Sequence, residues 1–296
     1  MPDSIGLEAV RSRLLEALGA FNAPASFSAL LNIPLSQSDK VLGGAERPSW
    51  VTLALAACVA TGGDAAYGAR VAAAVEVFMA ALDVLDEIED GDVSPTAAAT
   101  GIPQALNGAT ALLLLAPRML LDLPTRDGLP HPGDFARVLV DGGLTATGGQ
   151  HLDLTGEGFA AGSPEEALAV ARRKAGALAS TACRLGAMVG TADETLLELY
   201  GRWGMHYGTV AQLANDLHDA VDDAAKSDVA RKKSTLPLLF SHRVASETGS
   251  NPGVAASGAL HFTWVVVEIE RQACRDLADE LDARGQDTAH FRQFVP

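Results

Sequence analysis

The stretch Ala81-Leu-Asp-Val-Leu-Asp-Glu-Ile-Glu-Asp-Gly-Asp92 carries six acids in twelve residues: Asp83, Asp86, Glu87, Glu89, Asp90 and Asp92. It closes a long apolar segment that starts near residue 65 and runs out at Gly91. Asp83, Asp86, Glu87 and Asp90 recur at intervals of three and four, which places them on one side of a helix. A helix C-terminus carries partial negative charge, so exposed carboxylates there cost about 0.3–1 kcal/mol each. Like charges one turn apart add to that cost. A helix end that merely faced water would carry Lys or Arg, so the stored charge asks for a cation. Asp86 and Asp90, one turn apart, offer the hard oxygen donors that suit Mg²⁺.

A second array stands far along the chain in Gln212-Leu-Ala-Asn-Asp-Leu-His-Asp-Ala-Val-Asp-Asp223. Asn215, Asp216, Asp219, Asp222 and Asp223 again fall three and four apart at the end of a long helical pattern. Facing each other across a bundle, the two arrays would hold several Mg²⁺ ions. Those ions could bind a highly anionic ligand, such as a diphosphate, that an acidic protein otherwise repels.

Outward from these arrays the periodicity is helical, with Ala, Leu, Glu and Arg filling long segments and no alternating β-branched runs. The pattern predicts helices at about 5–20, 49–61, 65–90, 102–121, 133–150, 165–190, 193–222, 235–245 and 262–284. The breaks fall at Asn22–Pro24, Gly62-Gly63, Gly91 with Pro95, 127–132, 156–163 and 249–253. Ser163-Pro164-Glu165-Glu166 is a helix start, with a capping Ser, Pro in the first turn and acids behind it. No linker or fixed-period repeat divides residues 1–296, so one all-α domain is expected. The 296 residues hold 22 basic and 37 acidic side chains, a net charge of −15, which argues against nucleic acid as a partner. Three scattered cysteines form no metal spacing and suit a reducing cytoplasm. The longest apolar run, Leu53 to Ala60, is too short to span a bilayer.

Several further segments, in order, make the sequence resemble the trans-isoprenyl diphosphate synthases, or polyprenyl synthetases, and their class I terpene synthase relatives. Gly43-Gly44-Ala-Glu-Arg47-Pro48 is similar to GGKxxRP, and Asp86-Glu87-Ile-Glu-Asp90 to the first DDxxD motif, with Glu76 ten residues ahead of it. Gly101 to Leu113 resembles the helix that follows. Gly148-Gly149-Gln150-His-Leu-Asp153 resembles GGQxxD, and Lys174-Ala-Gly-Ala-Leu178 resembles KTxxL. Gln212 to Asp219 resembles FQxxDDxxD, and Lys233-Ser-Thr-Leu-Pro237 resembles KxTLP. The resemblance implies an isoprenoid synthase fold, a single large helical bundle around a central cavity. It implies three Mg²⁺ ions that trigger ionisation of an allylic prenyl diphosphate. Asp86, Glu87, Asp90, Asn215, Asp216, Asp219 and Asp223 match the metal ligands, with Asp86, Asp90, Asp216 and Asp219 the central catalytic carboxylates. Arg47, Gln150, Lys174, Gln212 and Lys233 match the diphosphate contacts. Members are commonly homodimers, which is analogy.

The departures from the pattern bear on the second substrate. Chain-elongating members hold isopentenyl diphosphate with the Lys and Arg of GGKxxRP, a His seven residues before the first Asp, and an Arg pair after the motif. Here the Lys position reads Gly44 or Ala45, the His position Met79, and the Arg pair Pro95 and Thr96; Arg47 alone survives. Charge-assisted contacts carry such binding, so elongation is not expected. The first expectation is therefore cyclisation to a terpene, and the alternative is transfer to another acceptor. Asn215, Asp219 and Asp223 partly match the metal triad of terpene cyclases, and Trp203 and Tyr207, one turn apart, could face a carbocation. In the resembled family the residues four and five before the first Asp limit product length; here they are Leu82 and Ala81, which implies a tunnel compatible with a C15, C20 or longer substrate, with Phe78 a turn deeper.

Overall fold

The computed structural model describes residues 6–20, 23–46, 49–156, 163–221, 235–250 and 253–295, and among these every regular element is a helix. The long apolar segment forms α4 (Ala65–Glu89). Asp64 starts it by accepting the Tyr67 N–H at 2.7 Å. Every α4 residue from Val71 to Ala81 is buried, so the helix needs neighbours all round. They are α1 (Leu7–Ala20), α3 (Ser49–Ala60) and α6 (Ile102–Leu121).

Two helices on this side fall outside the expected set. In α2 (Ala25–Leu35), Pro34 sits in the last turn, where it has no N–H to donate to the Leu30 carbonyl. Nearby side chains add bonds to other carbonyls of the helix: Asn32 Nδ2 donates to Ser28 O at 2.8 Å and Gln37 Nε2 to Ile33 O at 2.9 Å. In α5 (Pro95–Thr100), Pro95 begins the helix, with Ser94 as its cap.

The loop from α2 to α3 closes tightly on itself. A Cβ at Gly43 would lie 1.8 Å from the Gln37 carbonyl oxygen, a backbone atom with no room to move. Gly43→Ala is expected to destabilise the protein by about 3 kcal/mol, the upper end of overpacking costs, read as a lower urea midpoint. An unchanged midpoint would show that the loop is loose.

The remaining helices are α7 (Pro132–Gly156), α8 (Pro164–Ala171), a single π turn (Arg172–Gly176), α9 (Ala177–Ala187), α10 (Glu194–Val221), α11 (Leu236–Thr248), α12 (Gly253–Ala256), α13 (Ala259–Ala283) and α14 (Ala289–Arg292). Ser163 starts α8 with a reciprocal cap, its N–H donating to Glu166 Oε2 at 2.7 Å and its Oγ accepting the Glu166 N–H at 3.2 Å. The expected helix over 165–190 is thus interrupted by the π turn, and the one over 133–150 continues through Gly148 and Gly149 to Gly156. By contacts the chain forms two compact units. One is Met1–Asp141, Thr181–Tyr200 and Gly285–Phe291; the other is Gly142–Ser180, Gly201–Arg284 and Arg292–Pro296. In the second, Leu236 and Leu239 of α11 join Ala167 and Ala171 of α8, Val210 and Leu213 of α10 and Val267 of α13 in a buried cluster. Cys58, Cys183 and Cys274 are buried free thiols. No described helix is long and apolar enough to cross a membrane.

Candidate active site

In the first unit the acidic array occupies the last two turns of α4 and its cap. Asp86, Glu87 and Asp90 are half-buried. Asp90 ends the helix, its N–H returning to Asp86 O at 2.8 Å, and Gly91 turns the chain at φ +68°. Glu87 has its carboxyl group pushed up by burial and by Asp83 and Asp86, against a hydrogen bond from the buried Ser94. A carboxylate held up in this way gains from any cation placed beside it.

Lys40 is the residue that sequence reading missed. It lies three residues ahead of the Gly43-Gly44 pair and is 5% exposed. Its ammonium sits 2.6 Å from Asp39 Oδ2 and 2.7 Å from Asp83 Oδ2. Burial pulls its pKa down, but Asp83 and Asp39 outweigh that, so the ammonium stays charged. One signal was available: Lys40 is the sole lysine before Lys174. Behind it, Glu76 is wholly buried, and its Oε1 accepts the Val41 N–H at 2.7 Å. That bond ties the loop carrying Lys40 to α4.

Burial raises Glu76 from 4.5 to about 7, against the pull of the Val41 N–H and Lys40. The folded chain therefore keeps this proton where the unfolded chain has lost it. Its contribution to stability falls as pH rises from about 4.5 through about 7. Glu76→Gln retains an oxygen for Val41 and removes the titration. Relative to the variant, the parent should lose stability between pH 5 and pH 8 in thermal melts, and parallel curves would contradict this.

A cavity of about 270 Å³ opens on this array. Asp39, Lys40, Asp83, Asp86 and Glu87 line it together with Trp50. Pro95 and Thr96, at the positions where the resemblance expects an Arg pair, also line it, while Met79 is buried in α4.

In the second unit, α7 brings Gln150 and Asp153 to the π turn. A Cβ at Gly149 would lie 2.8 Å from the Lys174 backbone N, so only glycine lets α7 approach this closely. Lys174 Nζ reaches Asp153 Oδ2 at 3.1 Å, and Gln150 is buried. From the other side α10 packs backbone to backbone, a Cβ at Gly208 falling 2.3 Å from Ala175 O. Glu270 of α13 pins the start of the turn, accepting from Arg172 Nη2 at 2.7 Å and meeting His206 Nδ1 at 2.5 Å. Burial raises the Glu270 carboxyl group, but His206 and Arg172 outweigh it and leave it below its usual range.

At the end of α10, Gln212 Nε2 donates to Asp216 Oδ1 at 3.1 Å. Asp216 is buried, Asp219 half-buried and Asn215 exposed. Gln212, Asp216 and Asp219 share a face at i, i+4 and i+7, with Asn215 at its more exposed edge. Trp203 is 1% exposed and stacks on Tyr207 with ring centres 5.3 Å apart, edged by Phe294. Its ring is enclosed among core aromatics. Arg47, Asp223 and Lys233 lie outside the described residues.

Residues 30–251 match the polyprenyl synthetase family. The chain belongs to this family. Among curated relatives, the tryptophan prenyltransferase ComQ of Bacillus spizizenii is 29% identical over 186 residues, 60% of this chain and 59% of the relative. A (2E,6E)-farnesyl diphosphate synthase of Mycobacterium tuberculosis is 29% identical over 249 residues, 81% of this chain and 65% of the relative. The chain therefore spans somewhat under two thirds of the length of both. Among solved structures, a polyprenyl synthetase from Streptomyces coelicolor A3(2) superposes with a TM-score of 0.79 at 21% identity, covering 99% of this chain and 96% of that one. A geranylgeranyl pyrophosphate synthase gives 0.80 at 21%, covering 98% and 96%. The polyprenyl synthetase architecture is thus the all-α isoprenoid synthase fold expected from the motifs.

Proposed function

We propose that the protein is a Mg²⁺-dependent enzyme that ionises an allylic prenyl diphosphate and passes the prenyl cation to an acceptor other than isopentenyl diphosphate. The carrying observation is the charge around the α4 array. Four carboxylates line the cavity there, and Lys40, the one base among its described lining residues, is already held by Asp39 and Asp83. With Asp86 and Glu87 given to Mg²⁺, a second diphosphate in that place would still meet Asp39 and Asp83, and the one ammonium among the described lining residues is engaged by both. The reading is also supported by the position of Asp216, held by Gln212 on a common face with Asp219, as in a prenyltransferase-like second motif.

The donors fit a hard divalent ion in chemistry, since they are half-buried carboxylates whose mutual repulsion a cation relieves. Among the described residues, no three His, Cys, Asp or Glu side chains converge into a ready-made metal cluster. Asp86, Glu87 and Asp90, and separately Asp216, Asp219 and Asp223, are the proposed ligands. Bound Mg²⁺ would supply Lewis-acid stabilisation of the leaving diphosphate. Lys174, with Arg47, Gln150, Gln212 and Lys233, would hold diphosphate oxygens. The proposal extends to three ions, to one catalytic domain over residues 1–296, to a homodimer and to the cytoplasm, as the sequence reading implies.

Cyclisation of the same cation is the second reading, favoured by the four-residue spacing of Asn215 and Asp219. Mass analysis after incubation with farnesyl diphosphate, isopentenyl diphosphate and Mg²⁺ tests the main reading. No C20 diphosphate is expected, and a C20 diphosphate formed at a rate matching substrate consumption would restore chain elongation.

A further inference from the structure

Lys174 stands in the middle of the π turn Arg172–Gly176, and a π turn carries one residue more than an α-helical turn. One extra residue rotates everything beyond it by about 100° relative to an unbroken α-helix. Where that residue sits therefore decides which way Lys174 faces. Three helices hold it in place. At Lys174 the contact is Gly149 of α7, whose Cβ would lie 2.8 Å from Lys174 N. At the far end it is α10, where a Cβ on Gly176 would lie 2.7 Å from Met205 Sδ and 3.1 Å from Thr209 Oγ1. Both of these are contacts of shape. The third is polar: Glu270 of α13, 2% exposed, meets Arg172 Nη2 at 2.7 Å through Oε1 and His206 Nδ1 at 2.5 Å through Oε2. This one carboxylate joins α13, α10 and the first residue of the turn. A buried charge pair is often no better for stability than apolar side chains of the same volume, so packing alone gives no reason for a Glu here. What the carboxylate adds is a fixed distance and direction for two donors at once.

We infer that Glu270, with Arg172 and His206, is a positioning element for the diphosphate: it fixes the register of the π turn and thereby aims Lys174. The inference rests on the reading that Lys174 holds diphosphate oxygens. The Arg172 side chain is 45% exposed, so a direct contact between its guanidinium and the anion is the competing role. The two roles differ in sign. If the cluster acted only through charge, removing the Glu270 carboxylate would make the surroundings more positive, and diphosphate would bind more tightly. Acting through position, the same removal loosens the turn, and diphosphate binds more weakly although a negative charge has been taken away.

Inorganic diphosphate, titrated calorimetrically into the full chain with Mg²⁺ and no prenyl substrate, tells them apart. Glu270→Gln keeps the side-chain shape but presents one oxygen where two are used. It should weaken binding by about three- to tenfold, within the range of couplings inside one ion-pair network. Arg172→Met should do the same, and Arg172→Lys, which keeps a cationic donor for Glu270, should recover most of the loss. On a Lys174→Met background, Glu270→Gln should change the affinity by less than about twofold, because effects that run through one residue do not add. Arg284→Met removes an exposed cation at the end of α13, paired with Glu280, and should leave the affinity unchanged. Tighter or unchanged binding by a folded Glu270→Gln variant would overturn the inference, and so would an undiminished further loss on the Lys174→Met background. If Glu270→Gln melts well below the parent, the Arg172 variants decide, and equal affinity in Arg172→Met and Arg172→Lys would overturn it. A parent that binds no diphosphate would sink the reading of the site and this inference together. A parent that loses affinity through Lys174→Met but not through Glu270→Gln would keep that reading and sink the positioning role alone.

Discussion

Replacing Asp86 by alanine is expected to lower the rate of diphosphate release by on the order of 10²–10³-fold, the effect of losing one preorganised stabiliser of developing charge. The fold should be untouched or slightly firmer. Asp86 is half-buried beside Asp83, Glu87 and Asp90 near a helix C-terminus, where each like-charged pair costs about 0.2–0.5 kcal/mol. Activity and stability should therefore move in opposite directions, a pattern that a structural role for the array does not produce. Asp90→Ala should behave in the same way. Rates of phosphate release in a coupled assay, with thermal melts of the same samples, check both halves. An active Asp86→Ala enzyme would remove the array from the mechanism.

Lys174→Met has the second-largest expected effect. The π turn presents Lys174 towards Asp153, and methionine keeps the apolar stem while deleting the ammonium. Hydrogen bonds to charged groups contribute about 1.5–3 kcal/mol, which corresponds to roughly 10–150-fold in kcat/KM for the allylic diphosphate. A rise in KM larger than the fall in kcat would place the contact in the bound substrate. An unchanged kcat/KM would mean that Lys174 serves only to hold α7 through Asp153.

The residues that were legible in advance are those whose reasons are local. Both arrays, the long buried α4 and the Ser163 cap declare themselves through spacing within one helix. What escaped reading depends on partners distant in sequence. The helix of Ala25–Leu35 carries Pro34 in its last turn while Leu30 packs over Gly108 of α6. The π turn at Arg172–Gly176 exists where Gly149, Gly208 and Glu270 close in from three other helices. Lys40 lies just ahead of the Gly43-Gly44 segment without matching a position in it, and its ion pair is with Asp83, forty-three residues away. Conversely, the spacing of Trp203 and Tyr207 is equally good for a cavity wall and for a core stack, and packing against Phe294 made it the second.

The most direct measurement is diphosphate release from farnesyl diphosphate with Mg²⁺ or with excess chelator, and with or without isopentenyl diphosphate. The account predicts release that stops on chelation and is unaffected by isopentenyl diphosphate. Release that survives the chelator, or that begins only when isopentenyl diphosphate is added, would contradict it.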